Sequence, residues 1–110
     1  MRIDIRFRGE LKNTAALKEH VLRSAHFQLG RFGQALSQVV VRVSDVNGPR
    51  GGVDKRCQVM AKGSRIGTLS IDELNGDAKA AIDLAMDRAS HRVGQKLERS
   101  RAVRRTALEL

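Results

Sequence analysis

The chain has no tryptophan or tyrosine, and its only aromatic residues are Phe7, Phe27 and Phe32, 3% of 110 residues. So few rings argue against a recognition sheet that stacks splayed single-stranded bases. The single cysteine, Cys57, excludes an internal disulfide, and with no C-x-x-C pair it excludes a cysteine zinc site. In phase with Val59 and Ala61, it reads as a small buried apolar residue rather than a nucleophile. No apolar run nears the roughly 18 residues of a membrane span, and the N-terminal stretch is periodic and charged, unlike an apolar leader. A cytoplasmic protein with no membrane partner is expected. His20, His26 and His91 lack metal-ligand spacing, and the glycines between 48 and 52 form neither G-x-G-x-x-G nor a Walker pattern. No metal, cofactor, small-molecule substrate or catalytic group is therefore expected. Asp83 and Asp87, four residues apart, read as solvating charge on a helix.

What remains is enough to fold. At 110 residues the chain fits one domain, and 41% hydrophobic residues can build a core without staples. Ile3, Ile5 and Phe7 alternate with Arg2, Asp4, Arg6 and Arg8, which predicts a half-buried first strand. Asn13 or Thr14 can cap a helix whose Leu17, Val21, Ala25, Leu29 and Phe32 recur at three or four residues, with Gly30 and Gly33 marking its end. Two valine-rich strands follow, over 36–45 and 53–62, separated by an exposed loop at 46–52 that holds the only proline, Pro49. Gly63-Ser64 reads as a two-residue turn into a fourth strand over about 65–71, with Leu69 and Ile71 buried. From Asp77 the period becomes helical, and Ala78, Ile82, Ala85, Met86, Ala89, Val93 and Leu97 form one stripe.

The resulting order, β-α-β-β-β-α, predicts an α+β domain over 1–101. It has a four-stranded mixed sheet with a parallel first pair and two helices on one face. Residues 102–110 read as a basic tail, frayed beyond the end of the apolar stripe.

Twenty-one lysines and arginines against twelve acids leave a net charge of +9, so an anionic partner is expected. The excess has an address. Residues 88–105 hold Arg88, Arg92, Lys96, Arg99, Arg101, Arg104 and Arg105 against one acid, Glu98. At 100° per residue Arg88, Arg92, Gln95 and Arg99 fall on one arc, and none of these arginines has an acid three or four residues before it. A face meant only for water is more often laced with both signs. Arg2, Arg6 and Arg8 on the first strand admit two readings, anion contact or charged protection of an edge.

The element order, the segment Val43–Cys57 (VSDVNGPRGGVDKRC) and Asp77-x-x-x-Ala81-Ile82-Asp83 opening a basic helix together resemble the ribosome hibernation-promoting and ribosome-associated inhibitor family. The likeness covers about residues 1–101. It implies a fold like a double-stranded-RNA-binding domain with an added strand. It also implies binding to small-subunit ribosomal RNA, where the domain blocks the channel of messenger and transfer RNA without chemistry, as a short single-domain form. The family's basic last helix matches Arg88, Arg92, Lys96 and Arg99, while Lys79, His91 and Gln95 depart from its pattern, which bears on affinity rather than fold. On this reading the ribosomal RNA contacts are those four residues with Arg101, Arg23, Arg50, Lys55 and Arg56. The rival reading is a basic interaction module that binds an acidic protein, such as a transcription regulator.

Overall fold

Side chains alternate across a strand, so a sheet buried on one side needs an apolar residue at every second position. The computed structural model, which describes residues 1–47 and 53–109, shows this arithmetic on four strands: β1 (Arg2–Arg8), β2 (Gln38–Asp45), β3 (Lys55–Gly63) and β4 (Gly67–Asn75). Val39, Val41 and Val43, then Cys57, Val59 and Ala61, then Leu69 and Ile71 are buried, while Ile3, Ile5 and Phe7 of β1 pack against them half-exposed. Strand order is β1-β2-β3-β4. β1 runs parallel to β2, pairing Ile3 with Val39 and Ile5 with Val41, and the other two pairs are antiparallel. The expected α+β architecture with a mixed sheet is present.

Two helices, α1 (Thr14–Leu29) and α2 (Ala78–Glu109), cover the buried side. Asn13 caps α1, its Oδ1 accepting from Ala16 N at 3.3 Å, and Asp77 caps α2, its Oδ2 accepting from Ala80 N at 3.1 Å. Leu17, Val21, Ala25 and Leu29 are the buried apolar stripe of α1; Ala81, Ile82, Ala85, Met86, Ala89, Val93 and Leu97 are that of α2.

Four local expectations need correction. Gly30 does not take a left-handed cap: its φ is −59°, and the chain continues as a 3₁₀ segment, Gly30–Ala35, that turns at Gly33 with φ +38°. The β3–β4 connection is not a two-residue turn. Gly63 still pairs with Gly67, leaving Ser64, Arg65 and Ile66 in the loop, and Gly67 at φ +66° supplies the left-handed residue that closes a three-residue hairpin. Ile66, inside that loop, is buried in the core. β4 also runs four residues beyond Ile71, to Asn75.

The fourth concerns the C-terminus. α2 is continuous to Glu109, with residues 102–106 exposed, where fraying was expected. The 20 residues from 78 to 97 rise about 30 Å, the span of a nine-residue strand, so the sheet supports the helix as far as Leu97. The 12 residues that follow project about 18 Å past it. That overhang agrees with principal extents of 60 × 21 × 17 Å. The 46–52 loop is closed at its base by Val46 N donating to Asp54 O at 2.8 Å, and its residues 48–52 lie outside the described residues.

Gly63 is held by contact rather than by conformation: a Cβ there would stand 2.0 Å from the Ala35 carbonyl oxygen. Gly63→Ala is therefore expected to lower stability by about 1–3 kcal/mol, the usual cost of overpacking. Urea unfolding monitored by circular dichroism checks this, with Gly30→Ala, where a Cβ meets nothing within 4 Å, as the silent control.

Candidate nucleic-acid interface

The orientation of α2 decides where its cations point. Arg88 Nη1 lies 2.7 Å from Glu73 Oε1 on β4, and Lys96 Nζ donates to the Ile66 carbonyl at 3.2 Å in the β3–β4 loop. Those two contacts set one flank of α2 along β4. The other flank faces α1. Asp83 Oδ1 there accepts from Ser24 Oγ at 3.2 Å and lies 2.8 Å from His20 Nε2, and Ser90 Oγ accepts from Arg31 Nη2 at 2.9 Å. Asp83 is thus a strut between helices, not the solvating charge expected. Asp87 keeps the expected role, with His91 at 3.7 Å its one ion-pair contact among the described residues.

At 100° per residue Arg92 and Arg99 fall within about 40° of Arg88, on the β4 flank. Both are exposed, and neither has an ion-pair or hydrogen-bond partner among the described residues. Arg101 sits on the α1 flank, pairs loosely with Glu98 at 3.3 Å, and borders a concavity with Arg31, His91 and Arg99. The α2 residues expected to act together therefore divide between two flanks and converge only near the overhang, at Arg99 and Arg101. Arg23 is exposed on α1 without a partner among the described residues, beside Phe27 and Asp83.

The loop-side cations differ. Lys55 is half-buried between Asp54, at 2.8 Å, and Asp45, at 3.8 Å. Its hydrogen bond to Asp54 raises its pKa above the ordinary lysine value despite partial burial. Arg56 is held bidentately by Asp72 across β3 and β4, its Nε donating to Oδ1 at 2.8 Å and its Nη2 to Oδ2. That bond lowers the Asp72 carboxyl below its ordinary range and raises the guanidinium. Both cations are neutralised within the domain, and Arg50 lies outside the described residues.

Arg31 was missed by sequence reasoning. It follows the α1 stripe in a glycine-flanked turn, which carries no periodicity to mark it, yet the fold aims it at α2 and sets its guanidinium 4.7 Å from the Phe32 ring centre. Phe27 is the second surprise, 84% exposed on α1. No histidine, cysteine or acidic cluster able to hold a metal occurs among the described residues, and none of their helices is long and apolar enough to cross a membrane.

The profile of the family described as sigma 54 modulation protein / S30EA ribosomal protein matches residues 3–101. Among solved structures, the N-terminal domain of Protein Y from Thermus thermophilus superposes with a TM-score of 0.69 at 24% identity, over 86% of this chain and 98% of that one. A ribosomal subunit interface protein from Coxiella burnetii gives 0.67 at 17% identity, over 86% and 96%. At these identities the likeness speaks for the fold. No curated protein matches the sequence.

Cys57 is fully buried, and burial pushes its thiol up to about 12. Since the thiolate is the reacting form, alkylation at pH 8 is expected to run about a thousandfold slower in the folded chain than in urea. Mass spectrometry of iodoacetamide-treated protein reads the ratio, and equal rates would show that the core is open at β3.

Proposed function

The chain belongs to the sigma 54 modulation protein / S30EA ribosomal protein family, and from that premise we propose that it binds the small ribosomal subunit through ribosomal RNA phosphates and silences translation by occupying the messenger and transfer RNA channel. The observation that carries this reading is Arg92 and Arg99 on one flank of α2, followed by Arg104 and Arg105 on its overhang, all exposed and without carboxylate partners among the described residues. Like charges at helical spacing, as Lys96 with Arg99, destabilise by a few tenths of a kcal/mol per pair, so cations kept un-neutralised here are better suited to an external anion than to water.

Guanidinium forks match phosphate oxygens and hold position without reading bases. The inhibitory step needs no bond making or breaking, because an occupied channel excludes its usual ligand by volume. Arg88 contributes less than its place in the sequence suggests, since Glu73 already neutralises it. The same holds for Lys55 and Arg56. Arg23, Arg31 and Arg101 border the other side of α2 and extend the contact toward α1. The rival reading, an acidic protein partner, uses the same arginines and differs in whether the partner survives nuclease treatment.

Co-sedimentation with purified small subunits is expected for the wild-type chain and loss of it for Arg92→Ala combined with Arg99→Ala, with thermal stability little changed. If about six phosphates are neutralised, log affinity falls against log salt with a slope of roughly −4 to −5. A flat salt dependence, or a variant that still travels with the subunits, overturns the assignment. Glu73→Gln frees Arg88 and is expected to tighten binding by about two- to threefold, on the order of a weak surface pair. Weaker binding of this variant would assign Glu73 itself to the contact.

A further inference from the structure

The side of the sheet turned away from the helices carries a second set of un-neutralised arginines. The strand register places Arg6 of β1 directly beside Arg42 of β2, and Arg8 beside Ser44. All three arginines are exposed, and none has an ion-pair or hydrogen-bond partner among the described residues. Like charges directly opposite one another weaken a sheet. Charge on an edge strand guards against edge-to-edge pairing, and that accounts for Arg6 and Arg8. It does not account for Arg42, because β2 is hydrogen-bonded to strands on both sides.

The same face shows how an arginine is neutralised when stability is the only requirement: Arg56 of β3 is gripped by Asp72 of β4. Arg42 instead has Gln58 as its β3 neighbour. Arg6, Arg8 and Arg42 line one shallow concavity of about 720 Å³ together with Ser44 and Gln58, two further hydrogen-bonding side chains. Its one carboxylate outside the sheet face proper, Asp45, lies 3.8 Å from Lys55 and accepts from Asn47 N at 3.2 Å.

We infer that this open sheet face is a second RNA-binding surface, separate from α2, whose ligand is a run of backbone phosphates. Two residues along a strand lie about 6.6 Å apart and neighbouring strands about 4.8 Å, so the three guanidiniums spread over a patch rather than closing on one small anion. Each offers a fork that matches phosphate oxygens. The ring of Phe7, also in the lining, belongs to the opposite side of β1 and packs against the core, which leaves no platform for stacking a base. Backbone phosphate is the chemistry that remains. The choice of RNA over another polyanion rests on the function proposed above.

The test uses the full chain and a synthetic RNA hairpin of about 16 base pairs, the span of a duplex-binding module. Affinity is measured over a salt series for the wild type, for Arg6→Gln with Arg42→Gln, and for Arg92→Gln with Arg99→Gln. The sheet variant is expected to lose about five- to tenfold in affinity and about two units of salt slope. Its thermal midpoint is expected to hold or rise, because a like-charge pair has been removed. Wild-type affinity and slope in the sheet variant, beside an impaired α2 variant, overturn this inference and leave the proposed function standing. The reverse pattern supports the sheet face and overturns the α2 assignment. Inorganic phosphate at matched ionic strength is the second probe: shifts of the Arg6 and Arg42 Nε–H resonances that follow phosphate alone, and not the hairpin, assign a free anion and overturn the RNA ligand.

Discussion

The placement of every cation on α2 depends on how closely that helix can lie on β3 and β4. The contact row begins with Ala81, Ala85 and Ala89, all fully buried, and small side chains let a helix backbone approach a sheet. Larger residues, Ile82, Met86 and Val93, fill the space next to them and are also fully buried. On the alanine side the helical row continues as Arg92, Lys96 and Arg99, so one line of positions passes from core to charge as the helix runs along the sheet. Lys96 marks the transition: its stem is half-buried and its ammonium bonds the Ile66 carbonyl. Past Leu97 the sheet no longer supports the helix, and residues 101–106 are exposed.

Charge in this chain sorts by whether the fold has already answered it. Lys55, Arg56 and Arg88 have acids on neighbouring strands, and a cation with a carboxylate partner gains little from a second anion, which must first displace the acid. Arg92 and Arg99 on α2, and Arg6, Arg8 and Arg42 on the open sheet face, have none among the described residues. The net +9 is therefore unevenly answered by the fold. Two sides of the domain, the α2 flank and the open sheet face, each carry a cluster of it, and a strongly charged surface of this kind accelerates encounter with polyanions before any specific contact forms.

The fold was legible in the sequence because its two periods are clean. Alternation in β1, β2 and β3 and the three-to-four spacing of α2 each name the residues that are found buried. Turns were harder: Gly63 and Gly67 flank the β3–β4 loop, and sequence alone does not say which glycine takes positive φ. Gly63 is required by contact with Ala35, a residue 28 positions away. The candidate interface was half legible for the same reason. Helical spacing finds the α2 arginines and shows that no acid stands three or four residues before Arg88, Arg92 or Arg99, but it is blind to Glu73, Asp72 and Asp45, which reach their cations from neighbouring strands. Arg31 and Arg42 escaped for complementary reasons, one in an aperiodic turn and the other as a single polar residue within an alternating strand.

The overhang of α2 links binding to folding. A free helix of 12 residues is marginal in water, and this one persists because the buried turns before Leu97 have already met the cost of nucleation. Its own sequence works against it: Arg101 precedes Arg104 and Arg105 by three and four residues, so the last turns repel one another. Glu98 offsets only Arg101, through a 3.3 Å contact that water screens. A phosphate backbone laid along these turns removes the repulsion that opposes the helix, and it does so only while bound. If α2 takes up the proposed polyanion, ordering of its last three turns and binding stabilise each other. On the proposed function, a helix longer than its sheet, unfavourable for an isolated domain, becomes a means of making affinity for RNA depend on the continuity of α2.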